Sequence, residues 1–142
     1  MKAESNLGGL LGKSARLISN TLDSKLRSLG LTSQQWTLLA ELSVSGSRNQ
    51  TDLAKALLKN KASICSLVNY LEAKNCVERK ASIHNRRNKI VVLTPRGHQL
   101  FQQSKALAFD IIAKATKGVA ADDLAIVEIV LCQLIKNLEK SP

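Results

Sequence analysis

The chain has 142 residues, with 21 Lys plus Arg against 11 Asp plus Glu, a formal charge of +10 and an isoelectric point near 9.9. Apolar residues make up 44%, enough for a core, so a disordered basic tail is ruled out and the length fits one compact domain or a domain with an arm. No window approaches the roughly 18 uncharged apolar residues of a membrane-spanning helix, and Glu4, Lys13 and Arg16 break the first hydrophobic stretch, which argues against a secretory leader.

In chain order, the first segment carries Leu11, Ala15, Ile18, Leu22, Leu26 and Leu29 at steps of three and four, predicting a helix that ends at Gly30. Thr32 and Gln35 have capping-box spacing and open a second helix, with Trp36, Leu39 and Leu42 facing inward. Ser45-Gly46-Ser47 reads as a polar turn. Leu53, Ala54 and Leu57 mark one short helix, and Ile64, Leu67, Val68 and Leu71 mark the next. The turn between them, Lys59-Asn60-Lys61, is so tight that the two must cross at a large angle, as in a helix-turn-helix. The outer face of the second helix, which runs to about Lys74, shows Lys61, Ser63, Ser66, Asn69 and Tyr70. Most of these side chains are small or polar enough to reach base edges in a major groove.

Periodicity then changes. Val77 to Lys80 and Ile90-Val91-Val92-Leu93 read as two antiparallel strands, with a basic loop from Ser82 to Asn88 at the tip, an arrangement known as a wing. Thr94-Pro95 opens a helix reaching about Lys117, with Leu100, Leu107, Ile111 and Ile112 as its stripe. Gly118 interrupts. Asp122 and Asp123 sit in the first turn of a last helix, which is apolar around too much of its circumference for a monomer surface and predicts a partner subunit.

The charge is concentrated. Residues 48–97 hold eleven basic residues (Arg48, Lys55, Lys59, Lys61, Lys74, Arg79, Lys80, Arg86, Arg87, Lys89 and Arg96) and only Asp52, Glu72 and Glu78, a net +8 that leaves +2 for the rest. Such clustering is the footprint of a nucleic-acid-binding module. Four aromatic residues (Trp36, Tyr70, Phe101 and Phe109) are too few for a base-stacking platform of the single-strand kind. Cys65, Cys76 and Cys132 are an odd number without C-x-x-C, which suggests a reducing cytoplasm, and they read as inert rather than redox-active. H-E-x-x-H, Gly-rich phosphate loops and G-x-S-x-G are all missing, and His84, His98 and Cys76 match no zinc spacing. The expectation is a non-enzyme without metal or cofactor.

The chain resembles the MarR/SlyA family of bacterial winged-helix transcription regulators. The likeness is densest in Leu31-Thr32-x-x-Gln35-Trp36, in Leu53-Ala54, in Leu67-Val68-x-x-Leu71-Glu72-x-Lys74-x-x-Val77-x-Arg79, and from Arg87 through Leu93-Thr94. The opening Met1-Lys2-x-Glu4-Ser5-x-Leu7-Gly8 resembles the SlyA branch.

The resemblance implies a mainly α fold with a small β wing, spanning 1–142 as a single domain. Residues 1–30 and 98–142 would be dimerisation helices and 31–97 the winged helix-turn-helix lobe. It further implies a homodimer reading a pseudo-palindrome in double-stranded DNA, with the recognition helix in the major groove, the wing in the minor groove, and half-sites roughly 34 Å apart. The candidate DNA-binding residues are Lys59, Lys61, Ser63, Ser66, Asn69, Tyr70, Asn85, Arg86, Arg87 and Lys89. Arg87 matches the arginine of the family's Asp-x-Arg wing motif, whereas Asn85 replaces its acid and loses the charge-assisted bond. Ser66 stands where SlyA-type proteins tend to have a base-reading Arg, and Asn75 where relatives usually have Gly. The resemblance also implies release by a small aromatic carboxylate, with Arg16 and Trp36 as carboxylate and ring partners. The alternative reading is an architectural or anti-regulatory protein that binds DNA, or another regulator, with little sequence specificity.

Overall fold

The computed structural model describes residues 6–82 and 89–140. Helix α1 (Leu7–Leu26) passes through a 3-10 turn, Arg27–Leu29, and stops at Gly30, whose φ of 70° is the left-handed conformation expected there. Of the predicted stripe only Leu22 and Leu26 are buried, while Leu7, Leu10 and Leu17 are exposed.

Helix α2 (Ser33–Ser45) begins with the predicted capping box. Thr32 Oγ1 accepts from Gln35 N–H at 3.2 Å, and Gln35 Oε1 accepts from Thr32 N–H at 3.0 Å. These bonds satisfy two amides that a helix start leaves without partners. Asp23 of α1 accepts a further bond from Ser33 N–H, fixing the corner between the two helices.

The polar turn predicted after α2 contains a short strand, β1 (Ser47–Asn49), which leads directly into α3 (Gln50–Ala56). Helix α4 (Lys61–Ala73) follows across the turn 57–60. Each helix of the pair is capped by an asparagine: Asn49 Oδ1 accepts from Asp52 N–H and Asn60 Oδ1 from Ser63 N–H, both at 2.7 Å. Asn60 is thus the cap and Lys61 the first helical residue. Asn75 ends α4 with φ 62°, as its place in the family pattern implies.

Strands β2 (Val77–Ala81) and β3 (Lys89–Leu93) pair antiparallel, from Val77 opposite Leu93 to Ala81 opposite Lys89. Strand β1 pairs with the other edge of β3, giving a three-stranded sheet in the order β1-β3-β2. Helix α5 (Pro95–Ala115) starts with Thr94 Oγ1 accepting from Gly97 N–H at 3.0 Å. Its buried residues include Phe101 and Ile111. Leu100 and Leu107 pack at the edge of the core, and Ile112, predicted inward, is exposed.

The core joins Leu26, Leu38, Leu39, Leu42, Leu53, Ile64, Val68, Leu71, Val77 and Val91, all essentially without solvent contact. Each contributes about 1.5–3 kcal/mol of apolar transfer energy. The helix-turn-helix and the sheet therefore share one interior.

The chain divides into two compact units, residues up to Ile111 and residues from Ile112. The second contains α6 (Ala121–Glu139), with Asp122 and Asp123 in its first turn as predicted. No residue of α6 is buried, and Ile126, Val127, Ile129, Val130, Ile135 and Leu138 are exposed. No described helix is long and apolar enough to cross a membrane.

Candidate nucleic-acid interface

The alternation along α4 sorts its side chains by function. Ile64, Val68 and Leu71 point into the core, so Lys61, Ser63, Ser66, Asn69 and Tyr70 stand exposed on the rest of its surface. Asn60 fixes where the helix starts, and with it the register of every side chain on that face.

Beside α4 lies a polar cleft of about 370 Å³, lined by Asn49, Gln50, Thr51, Lys61, Cys65, Arg79 and Lys89. It is formed where the starts of α3 and α4 meet the loop-proximal half of the β2–β3 hairpin. The ammonium groups of Lys61 and Lys89, from two different elements, lend it positive charge, which suits an anionic backbone.

Arg79 is the residue that sequence reasoning missed. Counted there only among the basic residues of the footprint and in the family motif, it is the junction of the lobe. Its Nη1 lies 2.7 Å from Glu72 Oε1, Nε donates to Gln50 Oε1 at 2.9 Å, and Nη2 donates to Asn69 Oδ1 at 2.8 Å. Its backbone N–H also donates to Glu72 Oε2 at 3.3 Å. One guanidinium thus ties β2 to both helices of the helix-turn-helix, using the fork of donors that only arginine has. The available signal was Glu72, one of three acids in a strongly basic stretch.

Other cations of that stretch also have internal partners. Arg48 pairs with Glu41 at 2.9 Å, although its N–H does not aim at the carboxylate, and Lys80 pairs with Glu78 at 3.3 Å. Lys59 Nζ donates to Gln34 Oε1 at 3.1 Å. Lys74 Nζ and Tyr70 O–H both donate to Gly30 O, at 2.6 and 3.2 Å, and the Lys74 ammonium lies over the Tyr70 ring. Tyr70 is therefore engaged with the α1–α2 corner.

Asn85, Arg86 and Arg87 lie outside the described residues. Arg16 is exposed on α1, while Trp36 stacks on Phe101 with ring centroids 5.9 Å apart and its indole N–H buried without an acceptor among the described residues. Cys65 is half-buried, Cys76 buried and Cys132 exposed.

Two helices crossing over a tight turn, followed by an antiparallel hairpin that closes on a third strand, define a winged helix-turn-helix protein. The MarR family model matches residues 29–88. A cysteine variant of MarR from E. coli, complexed with operator DNA, superimposes with a TM-score of 0.81 at 25% identity, covering 90% of this chain and 92% of that one. The transcriptional regulator PA3341 gives 0.87 at 29% identity, covering 95% and 99%. AbsC, a MarR family transcriptional regulator from Streptomyces coelicolor, gives 0.87 at 22% identity over 99% and 97%. Over residues 29–88 the chain carries a MarR-type segment, and its whole fold is similar to that of these MarR-type regulators.

Proposed function

We propose that the protein is a transcription regulator that binds double-stranded DNA in a sequence-specific manner as a homodimer. Each copy lays α4 into a major groove and its wing into the adjacent minor groove of a pseudo-palindromic site. The observation that carries this reading is the exposed polar face of α4 beside the Lys61–Lys89 cleft, in a fold shared with an operator-binding relative. Ser63, Ser66 and Asn69 face the bases, and Lys59, Lys61 and Lys89 lie near phosphates. Arg86 and Arg87 enter or flank the minor groove, with Asn85 beside them, as the family resemblance implies.

The apolar surface of α6 supports the homodimer, since so many exposed Ile, Val and Leu side chains on one helix require a cover. The domain reading follows: residues 31–97 as the DNA-binding lobe, with 1–30 and 98–142 supplying dimerisation helices. Release by a small aromatic carboxylate finds support in Trp36, whose buried indole N–H has no acceptor among the described residues, a role that an acid oxygen would fill.

Selection of bound fragments from the source genome, followed by alignment, tests the whole reading. A shared inverted repeat is expected. A second reading, an architectural or anti-regulatory protein of low specificity, is favoured by one observation: the exposed face of α4 carries no arginine. A specific-to-non-specific affinity ratio near one at physiological salt would select it.

A further inference from the structure

We propose that Asn69 is a specificity-determining residue restricted to donating hydrogen bonds, that Arg79 imposes the restriction, and that the protein consequently reads a guanine rather than an adenine at the base pair facing Asn69. The inference rests on the DNA-binding reading given above.

A free asparagine on a recognition helix pairs with adenine through both ends of its amide. The oxygen accepts from N6 and the nitrogen donates to N7. Here the oxygen is already engaged. Arg79 Nη2 donates to Asn69 Oδ1 at 2.8 Å, and Arg79 is itself held by Glu72 and Gln50. The amide cannot turn over, because that would bring its NH2 against a guanidinium that has only donors. The second lone pair of Oδ1 offers little relief, since an incoming adenine amino group would approach beside the guanidinium, a fixed positive charge. The Nδ2 side is held only by the weak contact to Cys65 Sγ at 3.8 Å and keeps an N–H for a ligand.

The rest of the face has the same polarity. Lys61 is a pure donor, and the Ser63 and Ser66 hydroxyls donate or accept as required. Guanine offers two adjacent acceptors in the major groove, N7 and O6, whereas adenine sets a donor beside its N7. A donor-only Asn69 therefore favours guanine.

The test is selection from a random duplex pool with the full-length wild type, Asn69→Ala and Asn69→Asp, followed by binding titrations on the selected duplex. Asn69→Asp keeps an acceptor for Arg79, so the junction stays closed, but removes the donor. Wild type should enrich guanine at one position per half-site. Asn69→Ala should lose preference at that position alone, and Asn69→Asp should shift it toward cytosine, whose amino group donates to a carboxylate. Replacing the guanine by 7-deazaguanine or by adenine should weaken wild type roughly threefold to tenfold and leave Asn69→Ala unchanged. Adenine at the Asn69-dependent position would overturn the inference while leaving the DNA reading intact. So would identical selected sites from wild type and Asn69→Ala. A wild type that enriches no site would overturn the sequence-specific reading, and this inference with it.

Discussion

Gly97 and the carbonyl of Cys76 touch so closely that no other residue fits: a Cβ at position 97 would lie 2.0 Å from Cys76 O. The same oxygen accepts from Thr94 N–H at 3.1 Å, and Thr94 Oγ1 donates to Asn75 O, so the start of α5 is stitched to the end of α4. Gly97→Ala must push backbone against backbone, where no flexible side chain can yield. The expected loss is about 1–3 kcal/mol or more of stability, read by urea denaturation. An unchanged midpoint would show that the joint is looser than this geometry.

Asn60 caps α4 through the Ser63 amide. Asn60→Ala should cost about 1 kcal/mol of stability by orphaning the Ser63 amide. If α4 binds DNA, affinity should also fall, because the helix start sets the position of Lys61 and Ser63. A variant that is destabilised yet binds normally would separate the cap from the interface.

Size-exclusion chromatography with light scattering checks the dimer. Wild type is expected at twice the chain mass. Replacing Ile126 and Val130, neighbours one turn apart on the exposed surface of α6, by Lys should shift the population toward monomer. A monomeric wild type at micromolar concentration would remove the dimer from the proposal.

For Arg87→Ala, mobility shift should show binding weakened by about 1–3 kcal/mol if the side chain makes a groove contact. Affinity of the wild type should fall with salt at a log–log slope of about −0.9 per phosphate neutralised. A shallower dependence for the variant would identify the lost contact as a phosphate, whereas an unchanged slope with lost sequence preference would point to the groove floor.

The only tryptophan of the chain makes effector binding directly readable. Salicylate titration should change Trp36 emission saturably, beyond the absorbance loss seen with a free tryptophan derivative, and should lower DNA affinity in parallel. Arg16→Ala should weaken both responses. A change that merely tracks the free tryptophan derivative would leave Trp36 as a packing residue against Phe101.

The features legible in the sequence are those with local causes. The Thr32–Gln35 capping box, the left-handed Gly30, the Thr94 cap and the alternation on α4 depend on residues within one or two turns of each other. Strand β1 was invisible because Ser47, Arg48 and Asn49 have no strand pattern; they are extended only because β3 offers an edge forty residues on. Arg79 was misjudged for the same reason. Its partners Gln50, Asn69 and Glu72 come from two helices, and only folding brings them to one guanidinium. Phe101 was overlooked because the stripe on α5 shifts by one residue toward Trp36.

Asn49 is at once the last residue of β1 and the cap of α3, so no linker separates the sheet from the helix pair. Arg79 pins the same joint from the opposite edge strand. A lobe built this way is a caliper whose two jaws, α4 and the paired strands β2 and β3, are braced against each other through Arg79. On DNA such a caliper would gauge how far the major and minor grooves are rotated from one another, and would reject duplexes of the wrong twist without touching the bases that set it.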